Sequence, residues 1–328
     1  MHILSLRLLI ACLAVATGLA VAAPLSAASG AGKTYLLAVG ICPPYRHDIP
    51  VDACKTAIDA IVDNLGDALD IAKANIVTLA DDKATGPGFL AALADFGARL
   101  TSNDRLILYL IAHGDMFGQW ANYYGAGGAI GEVGDRFYRP DDYVLVFWTK
   151  DEPRVPALAL AEKDWLTVDE VIDAVDALPA KVALILESCS SGRAFTGFHI
   201  GSRQSERIDF VLASTGAGQI SNLNPGRSMP LFTEEFANAL DLPTVDTLGE
   251  AVAHAQVTTV LRATALCSTI TVPTAIFAQI FPGVPVPAEV THDGLVSPPL
   301  WLCSQVPSVA DFSGEMSAMP LYRGVATD

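Results

Sequence analysis

The sequence predicts an α/β fold in which a mostly parallel sheet is flanked by helices on both faces. Short, almost purely apolar runs alternate with longer amphipathic segments along most of the chain. Strands of a parallel sheet are apolar throughout because helices cover both faces, whereas each covering helix carries a single apolar stripe. The 328 residues are 51% hydrophobic and 17% charged, so the chain must bury a large core. This composition excludes disordered and fibrous proteins.

Five apolar runs are predicted to be strands of this sheet. They are residues 35–40, 75–80, 105–112, 181–186 and 208–213. Apolar residues at helical spacing predict helices over 52–70, 88–100, 167–178, 232–240 and 248–263. The third of these helices opens with Thr167-Val-Asp-Glu170, the pattern of a capping box. Because strands and helices alternate, we expect the strands to run parallel.

The regular alternation stops between residues 115 and 164, which are rich in glycine, aromatic and acidic residues. We interpret 115–164 as an insertion in which 143–148 forms one arm of a hairpin. Residues 263–288 carry no charge, but four prolines interrupt them, which favours a core strand and a loop over a membrane helix. The sequence thus predicts one domain over 33–280, with 281–328 as a C-terminal extension packed on it.

Residues 1–28 have the layout of a secretory signal peptide. Arg7 precedes an apolar run over 8–23, small residues follow, and cleavage is expected after Ala22 or Ala28. A retained membrane anchor is the alternative, but the run ends in Ala-Ala-Pro without a basic flank. We therefore expect export to a periplasmic or extracellular location, without stable membrane insertion.

Removal of this segment leaves five of the six cysteines, which are Cys42, Cys54, Cys189, Cys267 and Cys303. An odd number in an exported chain means that at least one thiol stays outside intramolecular disulfides. Pairing of neighbours, Cys42 with Cys54 and Cys267 with Cys303, would leave Cys189 as the odd cysteine. This connectivity is a hypothesis, because sequence does not fix pairing.

The chain has 36 acidic and 20 basic residues, so its net charge is −16, and its sequence contains no basic stripe. This charge balance excludes nucleic acid as a partner, because an acidic surface repels the phosphate backbone. Spacings typical of zinc sites are absent, and the Gly-Lys-Thr at 32–34 precedes a strand, unlike a phosphate loop. We expect no metal and no cofactor. The pairs Asp81-Asp82 and Asp141-Asp142 could bind calcium, but capping of turns is the simpler interpretation.

Two reactive side chains follow two of the predicted strands. His113 comes directly after 105–112, and Cys189 comes shortly after 181–186. Ligand sites of parallel sheets lie at the carboxyl ends of strands, and a thiol beside an imidazole is a nucleophile for carbonyl groups. The amides of Gly114 and Cys189 could hold an oxyanion. The alternative is a buried cysteine and a loop-capping histidine, but their joint position favours catalysis.

The sequence around these residues resembles a known family. Residues 104–114 resemble the histidine block, and 178–192 the cysteine block, of caspase-like cysteine peptidases, especially bacterial caspase-like proteins and metacaspases. Weaker similarities lie at 138–142, 212–219 and Phe232-Thr233, and the resemblance as a whole covers roughly residues 33–280.

This resemblance implies a three-layer α/β/α domain and a dyad of His113 and Cys189 that hydrolyses peptide bonds through an acyl-enzyme. The implied partner is a protein or peptide substrate, and no cofactor is needed, although some metacaspases require calcium. Legumain-type peptidases share the same blocks, and Tyr45-Arg46-His47 is similar to theirs. The Gln-Ala-Cys signature of strict caspases is absent. Papain-like enzymes are excluded because their cysteine precedes the histidine.

The resemblance further implies four substrate-binding residues. Glu187 stands where metacaspases carry Asp and would pair with a basic P1 side chain, whereas Arg46 would select an acidic or Asn P1. Asp52 opens the Asp-Ala pair expected after the first strand, and Ser214 follows the fifth. We expect an exported cysteine endopeptidase that prefers basic P1 residues. The alternatives are a legumain-like peptidase with Asn or Asp at P1, and a catalytically silent binding module of the same fold.

Overall fold

The computed structural model describes residues 32–42, 50, 52–119, 131–133, 136–139, 141–150, 162–196, 199–200, 205–269, 272–273, 295–296 and 304–322. The α-helices in these ranges are α1 (Ala53–Ala68), α2 (Gly86–Arg99), α3 (Val168–Asp176), α4 (Leu231–Leu240) and α5 (Leu248–Cys267). The strands are β1 (Thr34–Gly40), β2 (Ile76–Ala80), β3 (Arg105–Ile111), β4 (His113–Met116), β5 (Gly131–Val133), β6 (Arg136–Tyr138), β7 (Tyr143–Val146), β8 (Trp165–Thr167), β9 (Lys181–Glu187), β10 (Phe195–Thr196), β11 (His199–Ile200), β12 (Ile208–Ala213), β13 (Val272–Pro273), β14 (Leu295–Val296) and β15 (Ser308–Asp311).

The main sheet has six strands within these ranges, in the order β15-β12-β9-β3-β1-β2. All neighbours from β12 to β2 pair parallel, and β15 runs antiparallel to β12 at one edge. Helices α2 and α3 pack on one face of the sheet, and α1, α4 and α5 pack on the other. The predicted fold class, a mostly parallel sheet flanked by helices on both faces, is therefore confirmed.

Successive side chains of the central strands enter two separate cores. On β3, Leu108 packs into the core beneath α2 and α3, and the next residue, Tyr109, packs into the core beneath α1, α4 and α5. Both side chains are completely buried, as are their neighbours Ile107 and Leu110. Burial on both faces is the reason why this strand is apolar at almost every position.

A second, antiparallel sheet forms beyond the end of β3, in the order β4-β7-β8. The strand predicted over 105–112 is present as β3, which ends at Ile111, and the chain continues at His113 into the strand β4, which the sequence analysis did not predict. Ala112 donates the last backbone hydrogen bond to the main sheet, to Glu187 O at 3.1 Å, and His113 then pairs with Val146 of β7. The apolar run 143–148, predicted as a hairpin arm, forms β7 and pairs with both β4 and β8.

The start of α3 has the capping box that its sequence predicts. Thr167 Oγ1 accepts a hydrogen bond from Glu170 N at 3.2 Å, and Glu170 Oε2 accepts one from Thr167 N at 2.9 Å. Because the two side chains satisfy amides that have no partner inside the helix, α3 begins sharply at this point. This fixes the connection between the small sheet and the helix that covers the main one.

Cys42 and Cys54 form a disulfide with a Cα–Cα distance of 5.6 Å, which links the end of β1 to the first turn of α1. Cys267, at the end of α5, is also disulfide-bonded, and Cys303 lies outside the described residues. Part of the predicted C-terminal extension contributes β15 to the main sheet. The predicted signal peptide and most of 263–288 lie outside the described ranges, and no helix within those ranges is long and apolar enough to cross a membrane.

The substitution Leu184→Ala should lower the free energy of unfolding by about 2–5 kcal/mol, because it leaves a cavity in the core beneath α2 and α3. Leu184 lies at the centre of β9 and is 1% exposed. The matched control is Leu261→Ala on α5, where the side chain is 65% exposed and the change should stay within about 0.5 kcal/mol. Urea denaturation of both variants measures the difference, and equal losses would contradict the burial of Leu184 in this core.

Candidate active site

Two adjacent strands bring the candidate catalytic residues to one edge of the main sheet. β3 and β9 pair parallel, and Ile111 lies opposite Glu187 in their register. His113 and Cys189 each follow this pair by two residues, so both lie at the carboxyl edge, where parallel sheets bind their ligands. The side chains of both residues are partly exposed, and Cys189 carries a thiol.

The backbone of β4 directs one amide group away from its own sheet. Phe117 N donates to Asp142 O at 2.7 Å, and hydrogen-bonded pairs alternate along an antiparallel ladder. His113 and Asp115 therefore exchange hydrogen bonds with β7, whereas the N–H of Gly114 points away from β7. This amide, next to the candidate base, is directed outward from the small sheet, as an oxyanion donor requires.

Gly114 lies inside β4, where its side-chain position faces a neighbouring strand. A Cβ atom at this position would lie 2.2 Å from the hydroxyl oxygen of Tyr143. The absent side chain therefore makes room for a tyrosine from β7 that crosses over β4. Side-chain packing is therefore the reason why this position requires glycine.

The thiol of Cys189 receives a hydrogen bond from a neighbouring loop. Ser221 N donates to Cys189 Sγ at 3.4 Å. An amide that donates to sulfur stabilises the thiolate over the thiol, which favours the nucleophilic form. Further hydrogen bonds join the loops after β9 and β12, because Ser191 N donates to Thr215 Oγ1 at 2.9 Å and Thr215 N to Ser191 Oγ at 3.0 Å.

The structure corrects the role predicted for Glu187. This residue is 1% exposed, and its carboxylate lies inside the molecule beneath the start of α4. Oε1 accepts a hydrogen bond from Ser221 Oγ at 2.5 Å, and Oε2 accepts two from Thr233, from N at 3.1 Å and from Oγ1 at 3.0 Å. Burial raises the pKa of this carboxyl, and the hydrogen bonds counteract part of that rise. A buried, fully hydrogen-bonded carboxylate does not present itself to a basic P1 side chain.

The other predicted substrate-binding residues are distributed differently. Ser214 is completely buried beside Glu187, with its N–H donating to Leu186 O at 3.0 Å, so it does not reach a substrate. Asp52 is exposed immediately before α1. Arg46 lies outside the described residues. The structure therefore brings together His113, Gly114 and Cys189, and removes two of the four predicted substrate contacts from the surface.

Two residues near the candidate dyad were missed by the sequence analysis. Tyr143 Oη lies 2.8 Å from Ser188 Oγ and donates to Cys189 O at 2.5 Å. The carboxyl of Asp115 is hydrogen-bonded to the side chain of Ser190, and burial raises its pKa. Both residues belong to the predicted insertion, and no spacing pattern links them to the cysteine block. Only the pairing of β4 with β7 brings them to the site.

The acid pairs considered for calcium have other contacts. Asp142 Oδ2 accepts a hydrogen bond from Arg139 N at 2.7 Å, and burial raises the pKa of this carboxyl. Asp81 and Asp82 form a single 3-10 turn with Lys83. In the part of the chain that the structure describes, no three His, Cys, Asp or Glu side chains are grouped closely enough to hold a metal ion.

No family model matches the chain, and no curated protein sequence matches it. Solved structures with a similar arrangement include protein GSU0716 from Geobacter sulfurreducens, at 14% identity and a TM-score of 0.44, over 67% of this chain and 88% of that one. Caspase-1 from Spodoptera frugiperda is similar at 12% identity and a TM-score of 0.44, over 89% of this chain and 88% of that one. The fold class stands on the strand order and helix layers described above.

Replacing Glu187 by leucine should lower the free energy of unfolding by about 1–3 kcal/mol for each donor left without an acceptor, chiefly the buried amide of Thr233. Glu187→Gln should lose less, because its amide oxygen can accept from Thr233 while its amide nitrogen donates to Ser221 Oγ. Glu206→Leu, at an exposed position, is the matched control. Urea denaturation gives the three values, and a leucine variant as stable as the control would contradict the buried network.

Proposed function

We propose that this chain is an exported, caspase-like cysteine endopeptidase in which Cys189 is the nucleophile and His113 the general acid and base. The observation that carries the proposal is the register of β3 with β9, which brings a thiol and an imidazole to the same carboxyl edge of the sheet. The Ser221 amide on Cys189 Sγ and the outward N–H of Gly114 support it, since they match the needs of a thiolate and of an oxyanion.

In the proposed reaction, the thiol of Cys189 gives its proton to His113, and the thiolate Sγ then attacks the scissile carbonyl carbon, whose π electrons move to the carbonyl oxygen. The amides of Gly114 and Cys189 hold the resulting oxyanion. The C–N bond then breaks, and His113 gives its proton to the leaving amine, which produces a thioester. Water attacks this thioester and loses a proton to His113. The C–S bond breaks, a carboxylic acid leaves, and the dyad is restored.

Export is part of the same proposal. The disulfide between Cys42 and Cys54 supports it, because disulfides persist in oxidising compartments such as the periplasm and the extracellular space. Residues 1–28 would be the signal peptide that directs the chain there. The proposed chemistry requires Cys189 in its reduced form, and Cys189 carries a thiol.

Of the two charged residues expected to select the P1 residue, Arg46 remains the candidate. The burial of Glu187 removes the reason to expect basic P1 residues, and Arg46 would favour an acidic or Asn residue there. Protein or peptide substrates are proposed in either case, without a cofactor. Assays with Arg, Asp and Asn reporters at P1 therefore belong in the first experiment, with and without calcium.

Expression of the full chain in a bacterial host should yield a processed protein in the periplasmic fraction. Its intact mass should correspond to cleavage after Ala22 or Ala28, because the small residues at these positions suit signal peptidase. Mass spectrometry with and without reduction also counts the disulfides. A chain that keeps its first residues and stays in the cytoplasm would contradict the export part of the proposal.

The processed protein should hydrolyse peptide reporters, and Cys189→Ala should reduce kcat/KM by at least about 1000-fold, since it removes the nucleophile. His113→Ala should have a loss of similar size, whereas His254→Ala, at an exposed position on α5, should have none. The assay is run with reductant on a library of P1 residues. No cleavage by the unsubstituted protein under any of these conditions would favour the silent binding module.

A further inference from the structure

The peptide unit that follows Cys189 is held from two sides. Its carbonyl oxygen accepts a hydrogen bond from Tyr143 Oη at 2.5 Å, and its N–H, that of Ser190, donates to Gln219 O at 2.7 Å. A peptide unit is planar, so two bonds at opposite ends fix the orientation of the whole unit. The peptide unit before Cys189 is held as well, because Ser188 O accepts from Thr215 Oγ1 at 3.1 Å.

The residue after the nucleophile has an unfavourable backbone conformation. Ser190 has a φ of 55°, in the left-handed region that residues with a Cβ atom rarely adopt. Such a conformation persists only where the surroundings enforce it, and it concentrates at functional sites. The contacts that enforce it are the two ends of the preceding peptide unit and the hydrogen bond of the Ser190 side chain with Asp115.

Tyr143 joins this loop to β7, the strand that pairs with the His113 strand β4. Its single hydroxyl proton is donated to Cys189 O, so the same oxygen accepts from Ser188 Oγ at 2.8 Å. The ring crosses β4 at Gly114, where any Cβ atom would collide with the hydroxyl. Burial raises the pKa of Tyr143 well above its usual range, so the hydroxyl remains a donor in the neutral range.

We propose that Tyr143 is a positioning residue that fixes the backbone of Cys189 against β4, and thereby aligns the thiol with the two amides that would hold the oxyanion. This inference rests on the proposed peptide hydrolysis. Tyr143 itself contacts neither substrate nor the reacting atoms. It acts through the Cys189 carbonyl, and the left-handed Ser190 would relax to a more favourable conformation without it.

The test is Tyr143→Phe, with Tyr35→Phe, another buried tyrosine, as the matched control. We expect Tyr143→Phe to lower kcat by about 10- to 100-fold, because a small misplacement of reacting groups has effects of this size. KM should change by less than about twofold, since the variant leaves binding contacts intact. The rate at which iodoacetamide alkylates Cys189, and its pH profile, should stay unchanged, because alkylation needs a reactive thiolate but no oxyanion donors.

A second variant separates positioning from general damage. In Tyr143→Phe/Ser190→Gly, glycine adopts a positive φ without strain, which removes the gain from leaving this conformation, so kcat should recover severalfold over Tyr143→Phe. Glycine also removes the side-chain hydrogen bond with Asp115, so the recovery is compared with the single Ser190 variant. Ser190→Gly alone gives the baseline for this comparison. Thermal unfolding of each protein shows that the variants are folded.

The outcomes distinguish the two proposals. If the wild-type protein hydrolyses peptides and the Tyr143→Phe variant has the same kcat, the positioning role is overturned. The proposed peptidase function is then unaffected. Parallel losses of kcat and of alkylation rate, without recovery in the double variant, would also overturn the positioning role, since they indicate a structural role only. A wild-type protein without any hydrolysis would overturn the proposed function and the positioning role together.

Discussion

The parallel pairing of β3 with β9 at the centre of the main sheet determines where the two candidate catalytic residues lie. Both strands are buried on both faces, and their side chains pack alternately into two separate cores. A shift of one residue in this register would turn each side chain to the opposite core, which makes the register strongly specified. The pairing of Ile111 with Glu187 is therefore a fixed point of the structure. It sets the positions of His113 and Cys189, which each lie two residues further along the chain.

A buried carboxylate connects this fixed point to the loop that contacts the nucleophile. An ionised group inside a protein is tolerated only when hydrogen bonds replace the water it has lost. Glu187 meets that condition through Ser221 and Thr233, and Ser221 in turn donates its amide to Cys189. The carboxylate thus stabilises the loop after β12 and the start of α4 in one arrangement. Its burial is consistent with a role in shaping the site and not with direct contact to a substrate.

The small antiparallel sheet supplies what the main sheet lacks. A parallel strand that simply ended at His113 would leave the imidazole on a loop without further support. The continuation into β4, paired with β7, gives the histidine a second set of backbone hydrogen bonds and directs the Gly114 amide outward. It also brings Tyr143 across β4 to the Cys189 carbonyl. Two sheets therefore meet at the candidate dyad. The small sheet orients His113, and the main sheet positions Cys189 after β9.

The sequence by itself determined the fold class, the main strands and the position of His113 and Cys189 near strand ends, because burial on two faces produces local apolar runs that need no knowledge of partners. Tertiary structure alone decided the surroundings of these residues. Glu187 was predicted to bind a P1 side chain, but it is buried, and its partners lie 34 and 46 residues further along the chain. Contacts across such separations depend on strand register and sheet pairing, which no local pattern encodes.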